Sequence, residues 1–345
     1  MLDGTPAPGL TTAVLGASDE ETSDGMARCE LVLGNWGLVG QGLGFVLSDR
    51  SLADFGRALA LDMGEGNRRG RVFAGAITGL EEHSPPARAP QLVVLAEDRL
   101  QALRMTRRTR TFDDVTDADV ARRVATEHGL RCEADVDGPR HRALAQLNQS
   151  DLAFLRERAR AVDAQLWLAG DTLHLQARAR RDAGAVTLTY GADLREFSVL
   201  ADLAHQRTAI GVTGWDVAAK AALEQEAAEA ALGRELAGGT GGATVLQRAF
   251  GARVERVVHR VPIGADEARA LAEAHFRCTA RRFVTGTGTA EGDARITVGA
   301  HVDLAGLSPG FAGRYYVTEV RHHYDLTGGY RTTFGVERPF LAAVS

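Results

Sequence analysis

The chain is poor in lysine and in aromatic residues. Lys220 is the single lysine among 345 residues, and Phe, Trp and Tyr together make up 6%. Lys plus Arg total 40 against 45 Asp plus Glu, so the formal net charge is -5. This balance repels a polyanion. The basic clusters are not interleaved with aromatic residues that could stack on bases, so we expect no nucleic-acid partner.

Cysteine and long apolar runs are also scarce. Cys29, Cys132 and Cys278 are odd in number and have no CxxC spacing, which disfavours a disulfide framework and a four-ligand zinc site. We expect each to be a small buried apolar residue in a reducing compartment. Because the chain has no apolar run of about 18 residues and no basic region before an apolar stretch at its start, we expect neither a membrane-spanning segment nor a secretory signal.

The composition is otherwise that of an ordinary globular protein, with 45% apolar and 25% charged residues. At about 150 residues per domain the length predicts two or three domains. Short apolar runs separated by turn residues predict strands at both ends of the chain, with helices between them. The predicted segments are a flexible N-terminal arm at 1–25, a β-domain at 26–95, an α+β domain at 96–180, and a second β-domain at 181–345 with a helical insertion at about 217–282.

Two helix starts are marked in the middle region. Thr116 and Asp119 have the spacing of a capping box, and the helix that they begin should stop at Gly129. A second helix follows Asn148 or Ser150, either of which could cap it.

Further segments carry turn or helix signals. Gly170–Asp171 is suited to a tight hairpin turn, and 327–329 predicts a hairpin near the end of the chain. The Ala- and Glu-rich stretch 218–236 has high helix propensity, 238–242 (GGTGG) reads as a flexible joint, and a helix is expected over 266–282.

The strongest catalytic candidate is the G-x-S-x-G pattern at 306–310. In a hydrolase nucleophile elbow, the backbone N–H after the serine stabilises the oxyanion. Here Ser308 is followed by Pro309, which has no N–H, so we interpret the segment as a loop. The glycine-rich run 285–292 lacks the spacing and the lysine of a phosphate-binding loop, and we interpret it as a hairpin connection.

Other chemistry-bearing residues have simpler explanations. His322 and His323 fall in a predicted strand, so one should face the core and the other the surface. The paired carboxylates Glu81–Glu82 and Asp113–Asp114 stand in turn-like contexts that favour polar residues. We therefore expect no catalytic, cofactor-binding or metal-binding residue and no cofactor.

Two residue classes bear on binding. We interpret the basic clusters as solvated faces or subunit contacts, and we expect all three tryptophans at core positions. The basic clusters are Arg107, Arg108 and Arg110, and Arg178, Arg180 and Arg181; the tryptophans are Trp36, Trp167 and Trp215.

Four segments resemble the phage late control D family, the hub proteins related to the N-terminal part of VgrG spikes. The most specific are 144–175, where a capped helix precedes a Trp-bearing tight hairpin, and 313–334 (GRYYVTEVRHHYDLTGGYRTTF). The other two are 95–130 and 212–216 (VTGWD).

The resemblance implies an α+β, mainly β fold with two β-barrels similar to tail-tube subunits and a small α+β domain between them. It also implies a homotrimer whose six barrels form a pseudo-sixfold ring between a hexameric inner tube and a trimeric spike. We expect the spike to be a separate chain, other baseplate subunits to be partners, and the protein to be a non-enzymatic part of a virion or phage tail-like particle assembled in the bacterial cytoplasm. The alternatives are a tail-tip cell-wall hydrolase and a receptor- or carbohydrate-binding adhesin.

Overall fold

The computed structural model describes residues 1–47, 49–216, 220–258 and 262–342. Strands account for 48% of the chain and helices for 22%, which confirms the predicted mainly β, α+β class. Among the described residues, no helix combines the length and apolarity needed to cross a bilayer. The α-helices are α1 (Pro8–Ala13), α2 (Leu100–Arg104), α3 (Asp117–Glu127), α4 (Asp151–Ala161), α5 (Gly242–Phe250) and α6 (Ala265–Arg281).

The strands follow the chain from end to end. They are β1 (Val14–Thr22), β2 (Arg28–Gly34), β3 (Gly37–Val39), β4 (Gly42–Gly44), β5 (Ala58–Met63), β6 (Gly70–His83), β7 (Gln91–Glu97), β8 (Arg107–Val115), β9 (Arg131–Asp135), β10 (His141–Ser150), β11 (Ala164–Ala169), β12 (Thr172–Ala177), β13 (Ala185–Thr189), β14 (Leu194–Ala201), β15 (Ala209–Asp216), β16 (Ala221–Ala228), β17 (Thr240–Gly241), β18 (Val254–Val257), β19 (Val284–Glu291), β20 (His301–Ala305), β21 (Gly313–Asp325), β22 (Gly329–Arg338) and β23 (Phe340–Leu341).

One sheet of eleven strands joins the two ends of the chain. Nine strands run in the order β14-β19-β22-β21-β1-β2-β7-β6-β5, and β20 and β13 branch from β21. We call β1, β2 and β5–β7 the first lobe, and β13, β14 and β19–β22 the second lobe. Each lobe wraps its own hydrophobic cluster. Apart from β1, the strands of the first lobe lie within 28–97 and those of the second lobe within 185–338.

Strand β1 joins the lobes. It pairs antiparallel with β2 on one side and with β21 on the other. The long strand β21 makes this possible, because its residues 313–316 pair with β20 while 319–325 pair with β1. A bulge between Val317 and Glu319 separates the two halves, as expected where a strand changes partners.

The prediction of a flexible arm at 1–25 is therefore wrong. Val14–Thr22 is an interior strand of the large sheet, and Leu2 and Leu10 are buried in the first-lobe cluster. The small and acidic residues of this segment lower its average hydropathy. The segment nevertheless has a few inward-facing residues, such as Ala17, which pack it against the core.

The middle domain packs α2–α4 against two small sheets around one cluster. Its caps agree with the prediction: Thr116 and Asp119 form a reciprocal capping box, and Ser150 rather than Asn148 caps α4. Gly129 follows α3 with a φ of +65°. The Ala169–Thr172 pair closes the predicted hairpin around Gly170–Asp171.

The insertion in the second lobe is only partly helical. The predicted helix at 266–282 is α6, but 221–228 forms β16 and 229–236 forms 3₁₀ turns. In β16, Leu223 and Ala227 face the core side while Glu224 and Glu226 are exposed. This alternation and the pairing with β15 override the helix propensity of alanine.

The predicted flexible joint at 238–242 is also structured. Thr240 and Gly241 pair with β23, and Gly242 begins α5. A Cβ atom at residue 239, 241 or 242 would clash with Phe340, Glu229 or Phe283. The glycines serve close packing here, not flexibility.

A buried acidic residue lies at the junction of the lobes. Asp19 on β1 is 1% exposed, sits opposite Cys29 of β2 and His322 of β21, and its Oδ1 has no hydrogen-bond partner among the described residues. Burial, followed by repulsion from Glu21 and Asp98, raises the pKa of Asp19 to about 8. The folded protein therefore holds this carboxyl in its neutral form near neutral pH.

A buried ion network attaches the insertion to the middle domain. Arg281 of α6, which is 3% exposed, donates to Asp163 at 2.7 Å and to Glu235 at 2.6 and 2.8 Å. Burial alone would lower the pKa of Arg281, but the hydrogen bonds to Glu235 and Asp163 raise it. The network joins three elements distant in sequence, since Asp163 follows α4 and Glu235 lies in the 3₁₀ segment.

Substituting Asp163→Asn should lower the free energy of unfolding by about 3 kcal/mol, because it leaves a buried guanidinium short of one negative partner. Asparagine tolerates the φ of +55° at this position. Urea unfolding measures the change. The control Asp266→Asn removes an exposed ion pair with Arg269, and it should change the free energy of unfolding by no more than about 0.5 kcal/mol. Equal effects of the two substitutions would contradict a stabilising role for the buried network.

Substituting Asp19→Asn should flatten the dependence of stability on pH. A carboxyl whose pKa rises from 3.8 to about 8 on folding binds more protons in the folded state between these values, so its contribution to stability falls as pH rises through this window. Between pH 5 and pH 9, the free energy of unfolding of the variant should rise by about 2–4 kcal/mol relative to that of the wild type. Urea unfolding across this range provides the test.

The matched control for this pH experiment is Glu20→Gln. Glu20 is the next residue on β1, is exposed, and pairs with Arg321 at the surface. Its removal should change the slope far less than Asp19→Asn does, because Glu20 is the smallest of the charges that raise the pKa of Asp19. If the stability of Asp19→Asn depended on pH as that of the wild type does, Asp19 would be ionised in the folded protein.

Candidate assembly surface

The serine pattern at 306–310 lies in a surface loop. Ser308 is exposed between β20 and β21, and its carbonyl accepts hydrogen bonds from Phe311 and Ala312. A strand follows the serine where a nucleophile elbow requires a helix. The loop interpretation is confirmed.

The glycine-rich run 285–292 is not the hairpin connection that we predicted. Most of it is β19, an interior strand between β14 and β22. A Cβ atom on Gly286, Gly288 or Gly292 would clash with an aromatic ring of Phe197, Phe334 or Tyr330. Aromatic rings packed against the backbone account for the glycines.

The two histidines face opposite sides of β21, as predicted. His322 is 1% exposed, and its Nδ1 lies 2.8 Å from the hydroxyl of Tyr330. Burial lowers the pKa of His322 to about 4, so the ring is neutral in the folded protein. His323 lies nearer the surface, with its Nε2 3.1 Å from Asp325. The pair cannot hold one ion jointly.

The paired carboxylates are strand residues. Glu81 and Glu82 are exposed on β6, and Asp113 and Asp114 are exposed on β8. The prediction of turn contexts is wrong, because both pairs occupy strands with solvent-facing positions. The described ranges contain no group of three or more His, Cys, Asp or Glu residues suited to a metal ion.

The first arginine cluster is an internal ion network. Arg110 donates to Asp151 at 2.8 Å, and His128 Nε2 lies 2.8 Å from the other carboxylate oxygen of Asp151. Glu127 accepts from Arg108 and Arg110. Burial alone would raise the pKa of Asp151, but hydrogen bonds from His128 and Gln146 keep it below its ordinary value. The network joins the end of α3 to the start of α4.

The second arginine cluster joins the middle domain to the second lobe. Arg178 lies 3.4 Å from the ring centroid of Tyr316 and donates to Glu337 at 2.6 Å. Arg181 lies 4.0 Å from the ring centroid of Trp167 and donates to the carbonyl of Val298. Both are buried, so the prediction of solvated faces or subunit contacts is wrong for these two.

Two of the three tryptophans are exposed, against our prediction of core positions. The exposed fraction is 44% for Trp36 and 51% for Trp215, while Trp167 is half-buried. Trp36 belongs to a group of exposed apolar side chains in the first lobe. Its other members are Leu38, Val39, Leu43, Phe45 and Val46.

This group forms the apolar hairpin, which we define as residues 36–46. Strands β3 and β4 pair around a two-residue turn at Gly40–Gln41, and Leu38 and Leu43 lie opposite each other at 78% and 69% exposure. The rings of Trp36 and Phe45 meet edge-to-face with centroids 5.3 Å apart. An exposed apolar patch of several hundred Å² on a soluble chain marks an interaction site.

The base of the apolar hairpin is attached to the first lobe. The buried Asn35 side chain accepts a hydrogen bond from the Leu47 N–H at 2.7 Å, and the Asn35 N–H donates to the Pro90 carbonyl at 2.9 Å. Leu47 is buried in the first-lobe cluster. A two-stranded hairpin alone is marginally stable, so these contacts at its base hold the apolar residues outward.

A concave apolar region also lies in the first lobe. This hollow has a volume of about 950 Å³ and opens beside α1 and β5. Leu10, Leu59, Leu61, Met63, Tyr324 and Tyr330 contribute to its wall. Its described lining includes no residue of the apolar hairpin.

Sequence reasoning missed the apolar hairpin, although a signal was present. Residues 35–47 (NWGLVGQGLGFVL) contain no charged residue, and strong hydrophobicity alone suggested buried strands. The four glycines at 37, 40, 42 and 44 weaken the ability of this run to pack in a core strand. Glycine density in an uncharged apolar run was the available indication of exposure.

Solved structures that share this fold include tail proteins. The 43 kDa tail protein of prophage MuSo2 from Shewanella oneidensis is 12% identical, with 94% of each chain covered and a TM-score of 0.68. A tail protein from Neisseria meningitidis is 11% identical, with 94% of this chain and 92% of that chain covered and a TM-score of 0.66. At these identities the likeness establishes the fold.

A third similar structure is an E. coli protein described as a component of the type VI secretion system with structural similarity to bacteriophage tail proteins. It is 14% identical, with 100% of this chain and 79% of that chain covered and a TM-score of 0.59. The predicted resemblance to VgrG-like tail hubs is thus confirmed at the level of fold. No curated protein matches the chain in sequence.

The family comparison covers most of the chain. Residues 29–325 match the model described as the Alg8 N-terminal domain. The match begins within β2 and ends with β21, so it includes the middle domain, the insertion and parts of both lobes. The chain belongs to the Alg8 N-terminal domain family.

Proposed function

We propose that this chain is the structural hub of a baseplate in a phage tail or contractile injection system. In this role three copies form a pseudo-sixfold ring that joins a hexameric inner tube to a trimeric spike. The observation that carries the proposal is the double pairing of β1, which combines two β-lobes in one sheet. Three such chains present six lobes, and a closed ring buries matching surfaces and sheet edges.

The domain division is part of this proposal. We assign 26–95 to the first barrel, 96–180 to the α+β domain and 181–345 to the second barrel with its insertion, and we add β1 to the first barrel. The partners that we propose are a second and third copy, the inner tube protein, a separate spike protein and other baseplate subunits. We place the assembled protein in a virion or phage tail-like particle built in the bacterial cytoplasm.

Exposed tryptophans are also what an adhesin would need, so this alternative requires comparison. A sugar-binding platform combines an aromatic face with several polar side chains that fix the ligand. The apolar hairpin offers Gln41 as its one polar side chain. A surface of this composition favours contact with another protein.

The purified chain should have a mass about three times the 36.8 kDa of one chain. Light scattering coupled to sizing gives this mass, for the chain alone and after its co-expression with the tube and spike proteins of the same particle. It should also retain both proteins in a pull-down. A monomer under all these conditions that retains neither protein would refute the hub.

The chain should not clear peptidoglycan in a zymogram, because its serine motif lacks the geometry of a nucleophile elbow. The variants Ser308→Ala and Glu81→Gln are tested beside the wild type, because each removes one catalytic candidate. Clearing by the wild type that disappears in either variant would establish the hydrolase instead.

A further inference from the structure

We infer that the apolar hairpins of three copies pack together around the threefold axis of the proposed ring, each turning the same face toward the axis. This inference rests on the proposed function, because it names a surface through which the copies of the hub associate. The apolar hairpin is where exposed large apolar side chains are most concentrated in the described part of the chain.

One face of the apolar hairpin carries its large side chains. Successive residues of a strand point to opposite faces, and Leu38 lies opposite Leu43 in the register of β3 and β4. Two residues nearer the base on each side, Trp36 and Phe45 meet edge-to-face, so they lie on the same face as the leucines. We call this the large face, and its members are Trp36, Leu38, Leu43 and Phe45.

The opposite face consists of glycine and valine. A Cβ atom on Gly37 would lie 3.0 Å from Val46, and one on Gly44 would lie 3.5 Å from Val39, which places these four residues on one side of the hairpin. We call this side the small face. Antiparallel sheets often bury one face and leave the other in water, and the large face is the one that gains from burial.

The large face requires a partner without charge. Residues 35–47 contain no charged side chain, so a charged group buried against this face would lose its hydration and find no ion-pair partner. Charged residues make up 25% of this chain, and an ordinary protein surface would bring such groups into the contact. The large face of a second copy brings none.

The available area favours three copies over two. If a fully exposed large side chain offers about 200 Å², the exposed fractions of 44%, 78%, 69% and 44% give roughly 450 Å² of large face per copy. Two copies then bury at most about 900 Å² in total, below the roughly 1,200 Å² of stable specific interfaces, whereas three bury up to about 1,350 Å².

A lipid bilayer is another uncharged partner, but the backbone disfavours it. In the part of the chain that the structure describes, β3 and β4 pair only with each other. The N–H and C=O groups on their outer edges would enter hydrocarbon without hydrogen-bond partners. In a cluster of three hairpins only the large faces are enclosed, and water still reaches these edges.

Cross-linking of a residue to its own counterpart tests the contact. In a threefold cluster, a residue near the axis lies beside the same residue of the other copies. The full chain carries Leu38→Cys together with Cys278→Ser, which removes the exposed native thiol. Mild oxidation, or a short bismaleimide if the thiols lie too far apart for a disulfide, should link two chains of each trimer and leave the third chain single.

The matched control is Val39→Cys in the same Cys278→Ser background. Val39 is the next residue of β3 and is 51% exposed, but it lies on the small face. Its thiols should point away from the axis, and oxidation should link far fewer chains than it links in Leu38→Cys. Equal linkage of the two variants would overturn the inference, because it would show that the large face has no special place in the contact.

Charge insertion gives a second measurement. The double variant Leu38→Glu with Leu43→Glu brings six carboxylates of three copies together in an apolar contact. It should raise the trimer dissociation constant at least about 100-fold, whereas Val39→Glu should change that constant less than about threefold. Circular dichroism and thermal unfolding check that both variants fold.

The outcomes separate this inference from the proposed function. A trimer in which Leu38→Cys does not link to itself, and whose dissociation constant is unchanged by the two glutamates, overturns the inference and leaves the hub intact. Linkage of Leu38→Cys to a tube or spike subunit also overturns it. So does flotation of the wild type with phosphatidylcholine vesicles that the double glutamate variant abolishes. A monomer with and without the tube and spike proteins overturns both.

Discussion

The structure depends on the hydrogen bonding of β1, whose two edges are both paired inside the sheet. If either ladder were missing, the first and second lobes would no longer share one sheet, although contacts such as the Arg68–Asp193 ion pair would still join them. With both ladders present, eleven strands from the two lobes form one continuous sheet. The bulge in β21 is part of the same arrangement, because it lets one strand serve β20 and β1 in succession.

The arginine networks extend this coupling to the rest of the chain. Arg178 and Arg181 attach the middle domain to the second lobe through aromatic faces and a carboxylate, and Arg281 attaches it to the insertion. Planar guanidinium groups suit these junctions, since one side chain can stack on a ring and still donate several hydrogen bonds. The bias toward arginine thus has a structural use in this chain at its domain boundaries.

Local sequence signals predicted much of the fold and little of the surface. The capping box at Thr116 and the turn at Gly170–Asp171 are encoded within a few residues, so pattern and structure agree. The strand at Val14–Thr22 depends on β21, a partner far along the chain, and the strand at Ala221–Ala228 depends on β15 and on packing against α6. Composition favoured a flexible arm for the first segment and a helix for the second. Pairing with other strands makes both of them β-strands. Exposure of Trp36 was missed for a related reason, since hydrophobicity indicates burial without identifying the molecule that provides it.

The ladder on each side of β1 also determines how the joined lobes respond to force. Interstrand hydrogen bonds of an antiparallel pair lie perpendicular to the strands. A pull along the strand direction therefore loads all the bonds of a ladder at once, and they resist as a group. A pull across the strands instead opens the ladder from one end, bond by bond. The protein is consequently strong along one axis of the sheet and easier to open along the other.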